Sequence, residues 1–118
     1  MGYFVYSSVE EYEVEDRALS HLKLAVAYKL RRQESFLVSW SKPVEKGSGR
    51  VSVWVSPYVA IAFRFAGSRP PEINPIWVEA LKQLSQTSRG LILISEKEAE
   101  EYMYKNPVPG IIIPGNSI

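Results

Sequence analysis

Few residues in this chain could do chemistry, and they lie far apart. His21 is the only histidine, Glu11, Glu13 and Glu15 alternate in a row, and Gly47-Ser48-Gly49-Arg50 is a short glycine-serine stretch. A histidine can serve a nucleophile triad only beside a serine and an acid. His21 falls mid-helix among apolar neighbours and reads as a packed or surface residue. Carboxylates in a row could suggest a cation site, but alternate residues of a strand stand roughly 7 Å apart and point to water. They read as a solvated edge, with no metal and no cofactor expected. The glycine-serine stretch lacks the longer glycine spacing and the Lys-Ser/Thr pair of a phosphate-cradling loop, so it reads as a hairpin turn. Arg31, Arg32, Lys42, Lys46, Arg50 and Arg69 fall near loops or element ends. With Trp40 and Trp54 they could form an arginine-aromatic surface of the kind that stacks on single-stranded bases. Arg31, Arg32, Arg50 and Arg69 are the candidate anion or nucleic-acid contacts.

Three strand-like runs position these groups: 36–42, 50–56 and 58–67. Phe36, Val38 and Trp40 alternate with Leu37, Ser39 and Ser41. Val51, Val53 and Val55 alternate with Ser52, Trp54 and Ser56. Val59, Ile61, Phe63 and Phe65 alternate with Ala60, Ala62 and Arg64. Side chains two apart leave a pleat on the same side, so the runs predict a sheet with one greasy face. The opposite face is mostly Ser and Ala, with Trp54 and Arg64 standing above it. Small residues permit close approach of a second layer, and Trp and Arg are common anchors of interfaces. Ser52, Trp54 and Arg64 are therefore the candidate protein-interface residues.

The flanking segments supply the cover. Tyr3 to Tyr6 and the run through Tyr12 and Val14 predict an N-terminal hairpin broken at Ser7-Ser8. Asp16 is the expected N-cap of a helix over 17–33, with Leu19, Leu22, Val26 and Leu30 facing the sheet. Leu24, Tyr28 and His21 form a second stripe, expected to touch the hairpin or another subunit. Lys29, Arg31 and Arg32 complement the helix C-terminus. Asn74 followed by Pro75 opens a second helix, with Ile76, Trp77, Ala80, Leu81 and Leu84 buried. The continuous apolar run Leu91 to Ile94 predicts a strand in a central position. Ser95 and Glu98 form a capping box for a short acidic helix over 96–105. In the tail, Ile111, Ile112 and Ile113 lie between prolines that bar a helix. A solvated tail would be polar, so this one reads as an apolar arm that docks on its own domain or on a neighbouring chain.

Composition bounds the class. The 118 residues suffice for one domain with a core, divided here into an α+β domain over 1–95 and a helix with an arm over 96–118. A net charge of +1 argues against a general affinity for nucleic acid or anionic membrane. No cysteine excludes disulfides and thiolate chemistry, and no apolar run is long enough to span a bilayer. A signal peptide is not expected from the first residues, and a cytoplasmic location is.

From Asp16 to Glu96 the chain resembles a family of short, uncharacterised proteins from actinobacteria and their phages. The matching residues are Asp16-Arg17, Leu19, His21-Leu22, 29–36, Ser39-Trp40, 47–50, Ser52, Trp54, Phe63, Phe65, 67–74, Trp77, Leu81 and Gly90-Leu91. Some members of that family carry the label ATP-dependent DNA ligase. Nucleotidyl transfer needs a lysine nucleophile in a Lys-x-Asp-Gly-x-Arg setting with carboxylates for a metal. Lys46 to Arg50 is the nearest match, but Ser48 stands where the acid belongs, so catalysis by this chain is not expected. The expectation is an α+β fold in the order ββαβββαβ, mainly antiparallel, with two main helices on one face. Its expected role is a non-enzymatic interaction module that associates with itself or with another protein. The competing reading is a nucleic-acid-binding accessory.

Overall fold

The computed structural model describes residues 1–42, 47 and 49–107. The order of elements is β1 (Gly2–Tyr6), β2 (Glu10–Val14), α1 (Asp16–Arg31), β3 (Phe36–Lys42), β4 (Gly49–Val55), β5 (Ile61–Arg64), α2 (Pro75–Leu84), β6 (Leu91–Ile92) and α3 (Glu96–Lys105). The fold is α+β, as the periodicity predicts. Every strand pairing is antiparallel except β3 with β6.

The strands form two sheets rather than one, in the orders β2-β1-β5 and β4-β3-β6. Alternation in the sequence tells which way side chains point, not which strand lies alongside. After Val55 the chain turns at Ser56, where the Val59 amide donates to the Ser56 carbonyl and the Tyr58 amide to the Ser56 hydroxyl. Pro57 within this turn has no amide to continue a ladder. The next strand therefore leaves β4 and pairs with β1, Tyr3 opposite Arg64 and Tyr6 opposite Ile61. The sheets meet through aromatic rings: Trp40 of β3 packs edge-on to Phe4 and Tyr12, at centroid distances of 5.9 and 5.1 Å.

The greasy face of β3 and β4 is buried as expected, with Phe36, Val38, Trp40, Val53 and Val55 joining Leu19, Leu22, Val26, Trp77 and Leu81 in one core. β6 departs from expectation, being two residues long and at a sheet edge. Its apolar run is buried by α2 rather than by a second neighbouring strand, and Trp77 Nε1 donates to the Ile94 carbonyl at 3.0 Å. α3 adds Ala99 and Met103 to the same core.

The α1 cap is also reassigned. Glu15, not Asp16, is the N-cap, its carboxylate accepting from the Arg17 and Ala18 amides. Asp16 is drawn to a distant partner instead, accepting from the amides of Ala66 at 3.2 Å and Gly67 at 2.9 Å. These two bonds hold its carboxyl below the usual carboxylate range. The helix ends at Arg31 rather than Gln33, because Gln33 adopts a left-handed φ of 62°. The N-terminal hairpin turns through Ser7 and Ser8, both also left-handed.

Gly90 sets the approach of β6 to β3. Its φ is +80°, and a Cβ there would lie 2.8 Å from both Cβ and the carbonyl oxygen of Leu37. Left-handed backbone alone costs an L-residue about 1–2 kcal/mol, and the contact with backbone adds to it. Gly90→Ala is expected to lower the stability of the fold by at least about 2 kcal/mol, read as a fall in the urea midpoint at unchanged m-value.

Candidate functional site

The face of β3 and β4 turned away from the core is built by strict cross-strand register. Leu37 stands opposite Trp54, Ser39 opposite Ser52, and Ser41 opposite Arg50. The two central serines bond to each other, Oγ to Oγ, at 2.7 Å. Trp54 is 52% exposed and Leu37 37% exposed, an apolar pair standing next to small polar neighbours. No helix covers this side among the described residues. Beside the serines runs a groove of about 980 Å³ that reaches Ile92, Arg89 and Glu98.

Backbone direction along β4 follows from two separate bonds. The carbonyl of Ser39 accepts from the amide of Leu93, so Ser39 turns its backbone groups toward β6. Ser39 and Ser52 are therefore a non-hydrogen-bonded pair, and Ser52 turns its amide and carbonyl away from β3. Trp54, two residues on, agrees: its carbonyl accepts from the Tyr6 hydroxyl at 2.5 Å, on the outer side. Arg50, Ser52 and Trp54 thus present backbone groups along the free edge of the sheet.

The candidate residues are not gathered in one place. Ser52, Trp54 and Arg50 share the β4 face. Arg64 belongs to the other sheet, where it grips Glu11 at 3.0 and 3.3 Å and lies over the Tyr3 ring at 4.8 Å. Its guanidinium is already engaged within the chain. Arg32 is held by Glu34 at 2.6 Å and by the Tyr28 hydroxyl at 3.0 Å. Glu34 also pairs with the buried ammonium of Lys29. Arg31 is exposed at the end of α1, and Arg69 lines a separate hollow with Asp16, Lys23 and Phe65. Ile111, Ile112 and Ile113 lie outside the described residues.

Sequence reasoning passed over Arg89, which the turn before β6 brings to the groove that Arg50 lines. Arg17, Arg32 and Arg64 each hold a carboxylate, whereas neither Arg50 nor Arg89 holds one among the described residues. Nothing in the stretch 86–90 marks Arg89 out, because its value comes from a neighbour distant in sequence.

A second cluster of titratable groups lies where the three helices meet, and its geometry is structural. His21 is fully buried; its Nδ1–H donates to the Arg17 carbonyl at 2.7 Å, and its Nε2 accepts from the Asn74 amide at 2.8 Å. An amide can only donate, so the ring is neutral with its proton on Nδ1. The imidazole stacks on Trp77 at 4.2 Å. Arg17 grips Glu96 with two bonds of 2.6 and 2.9 Å, and Asn74 Nδ2 donates to the same carboxylate at 2.8 Å. No serine faces the ring as a nucleophile would, and among the described residues no cluster has the make-up of a metal site. The acidic row is also accounted for in part, Glu11 by Arg64 and Glu15 by the α1 cap.

Taken together, the fold and this face define a small α+β domain with one sheet uncovered on its outer side by the described residues. The chain belongs to a domain family of unknown function, DUF7882, whose profile matches residues 1–96. No curated protein and no solved structure matches it.

The helix junction generates a pH dependence. Burial pushes the His21 imidazole below its ordinary 6.5, so the unfolded chain binds a proton more readily there. Stability from this site is full above pH 6.5 and falls as pH drops below it. The Arg17 guanidinium, aided by Asn74, brings Glu96 down from 4.5 to about 2; its contribution persists above 4.5 and is lost as pH falls toward 2. Both act in the same direction. Urea midpoints are expected to fall from about pH 7 to about pH 5 in the parent chain and to flatten over that range in His21→Gln. Glu96→Gln is expected to flatten only the part below 4.5.

Proposed function

We propose that this chain is a non-enzymatic interaction module that associates with itself through the uncovered face of β3 and β4. The observation that carries this reading is the exposed Trp54–Leu37 pair on a floor of serines. Leaving an indole half in water beside a partly exposed leucine forgoes a fraction of the roughly 1.5–3 kcal/mol that full burial of a large apolar side chain supplies. The adjoining Ser39 and Ser52 leave room for a second layer to approach. Ser52 and Trp54 are the central contacts, with Leu37 beside them. Arg64 is secondary, since its donors already meet Glu11. The apolar arm around Ile111, Ile112 and Ile113 is a further contact in this proposal, on its own domain or on a second copy.

Ligation is not part of the proposal. The label carried by some members of the actinobacterial and phage family that the chain resembles finds Ser48 in place of the acid after Lys46. A cysteine-free chain needs no oxidising compartment, and a cytoplasmic setting suits it. No helix of the described residues is long and apolar enough to cross a membrane.

A second reading, nucleic-acid binding, is favoured by one observation: Arg50 and Arg89 line the same serine-floored groove without a carboxylate partner among the described residues. It predicts affinity for oligothymidine that falls steeply with salt and weakens in Arg50→Ala and Arg89→Ala. A flat salt response removes it. For the favoured reading, Trp54→Ala is expected to weaken association of the full chain by about 2 kcal/mol or more, measured by sedimentation equilibrium. A parent chain that remains monomeric at every concentration, with or without residues 106–118, overturns it.

A further inference from the structure

The free edges of the two sheets differ in what they could accept. β6 has two residues and β5 four, too short for a long ladder. β2 carries Glu10, Glu11 and Glu13, and two such strands side by side would set like charges against each other. β4 runs seven residues, from Gly49 to Val55, without proline, lysine or acid. Its outer residues Arg50, Ser52 and Trp54 turn their backbone groups to that edge. Apart from the Trp54 carbonyl, these groups have no hydrogen-bond partner among the described residues.

The sequence of β4 also complements itself about Ser52. Laid antiparallel on a second copy with Ser52 opposite Ser52, it sets Arg50 opposite Trp54, Val51 opposite Val53, and the reverse on the other half. Arg50 and Trp54 lie on the same, uncovered face. Directly opposed residues of a hydrogen-bonded pair have Cα atoms about 5.5 Å apart, within reach of a guanidinium resting on an indole. At the axis a serine is small enough to meet its own copy. The Trp54 carbonyl keeps a second lone pair for the partner's Arg50 amide while holding the Tyr6 hydroxyl.

We propose that two copies pair their β4 strands antiparallel across a two-fold axis at Ser52, clasped by two reciprocal Arg50–Trp54 contacts. This rests on the self-association proposed above and places its contact along the edge of that face rather than over it: the β4-β3-β6 sheets of the two copies become one continuous sheet through the axis. The interface is isologous, so it closes as a dimer and does not propagate. One strand edge covers less than a standard interface of about 1,600 Å², so a weak, reversible dimer is expected.

The test uses the full chain at low and high micromolar concentration in sedimentation equilibrium. Ser52→Pro removes an amide that points away from β3, a position where an edge strand tolerates proline. It should abolish the dimer and leave the circular dichroism spectrum unchanged. Trp54→Arg sets arginine against arginine and should raise the dissociation constant about tenfold or more, while the exchange Arg50→Trp with Trp54→Arg should restore it. Because the chain has no cysteine, Ser52→Cys supplies a single thiol. A short bismaleimide should link two copies there and not at Val9→Cys in the β1–β2 turn. Should Ser52→Pro fail to fold, the exchange and the cross-link decide alone. A dimer indifferent to Ser52→Pro, unrescued by the exchange, or cross-linked equally at Val9→Cys overturns the strand register while leaving self-association standing. A monomer at all concentrations overturns both.

Discussion

The turn between Val55 and Ile61 decides what kind of surface this protein has. Had β5 folded back on β4, the longest pair of strands would have been flanked on both sides and its edge closed. The buried Ser56, the missing amide of Pro57 and the bond from Val59 back to Ser56 send the chain elsewhere. β5 completes the other sheet beside β1, and β4 is left at an edge. Tyr6 then ties the end of β1 to the Trp54 carbonyl, so the two sheets are joined close to the exit from β4. An open edge and an exposed indole are consequences of one chain reversal.

The core that supports this edge rests on ring packing and on a polar junction. Trp40 stands between the sheets against Phe4 and Tyr12, and the helices are joined by Arg17, His21, Asn74, Trp77 and Glu96. Every polar atom of that junction is partnered, and no buried side-chain nitrogen or oxygen lacks a hydrogen bond among the described residues. A buried network of this kind is stabilising when complete and costly when one member is removed. The cluster that most resembles a catalytic centre in its residue types is therefore a fastening. Glu96 closes it from the first turn of α3.

Much of this was legible from the sequence, and what was not has a common cause. The alternation in β3 and β4 gives the buried and open faces directly, because a period of two survives any choice of neighbour. The α2 cap at Asn74-Pro75 and the capping box at Ser95 are local and came through intact. The failures involve partners distant in the chain. Asp16 looks like the better cap until the amides of Ala66 and Gly67 compete for it. Arg64 shares an alternation pattern with Trp54 but sits on another sheet. The run from Leu91 looks central because burial by a helix and burial between strands leave the same apolar signature. Arg89 lacks any local mark.

The three tryptophans fall into two environments: Trp40 and Trp77 are 8% and 4% exposed, while Trp54 stands half in water. An indole in water emits at longer wavelength and is open to collisional quenchers, and one in a dry core is neither. The protein thus carries separate optical signals for its interior and for the edge of β4. Iodide sees only the latter, so occupancy of that edge can be followed without a label while the core signal reports whether the fold beneath has changed.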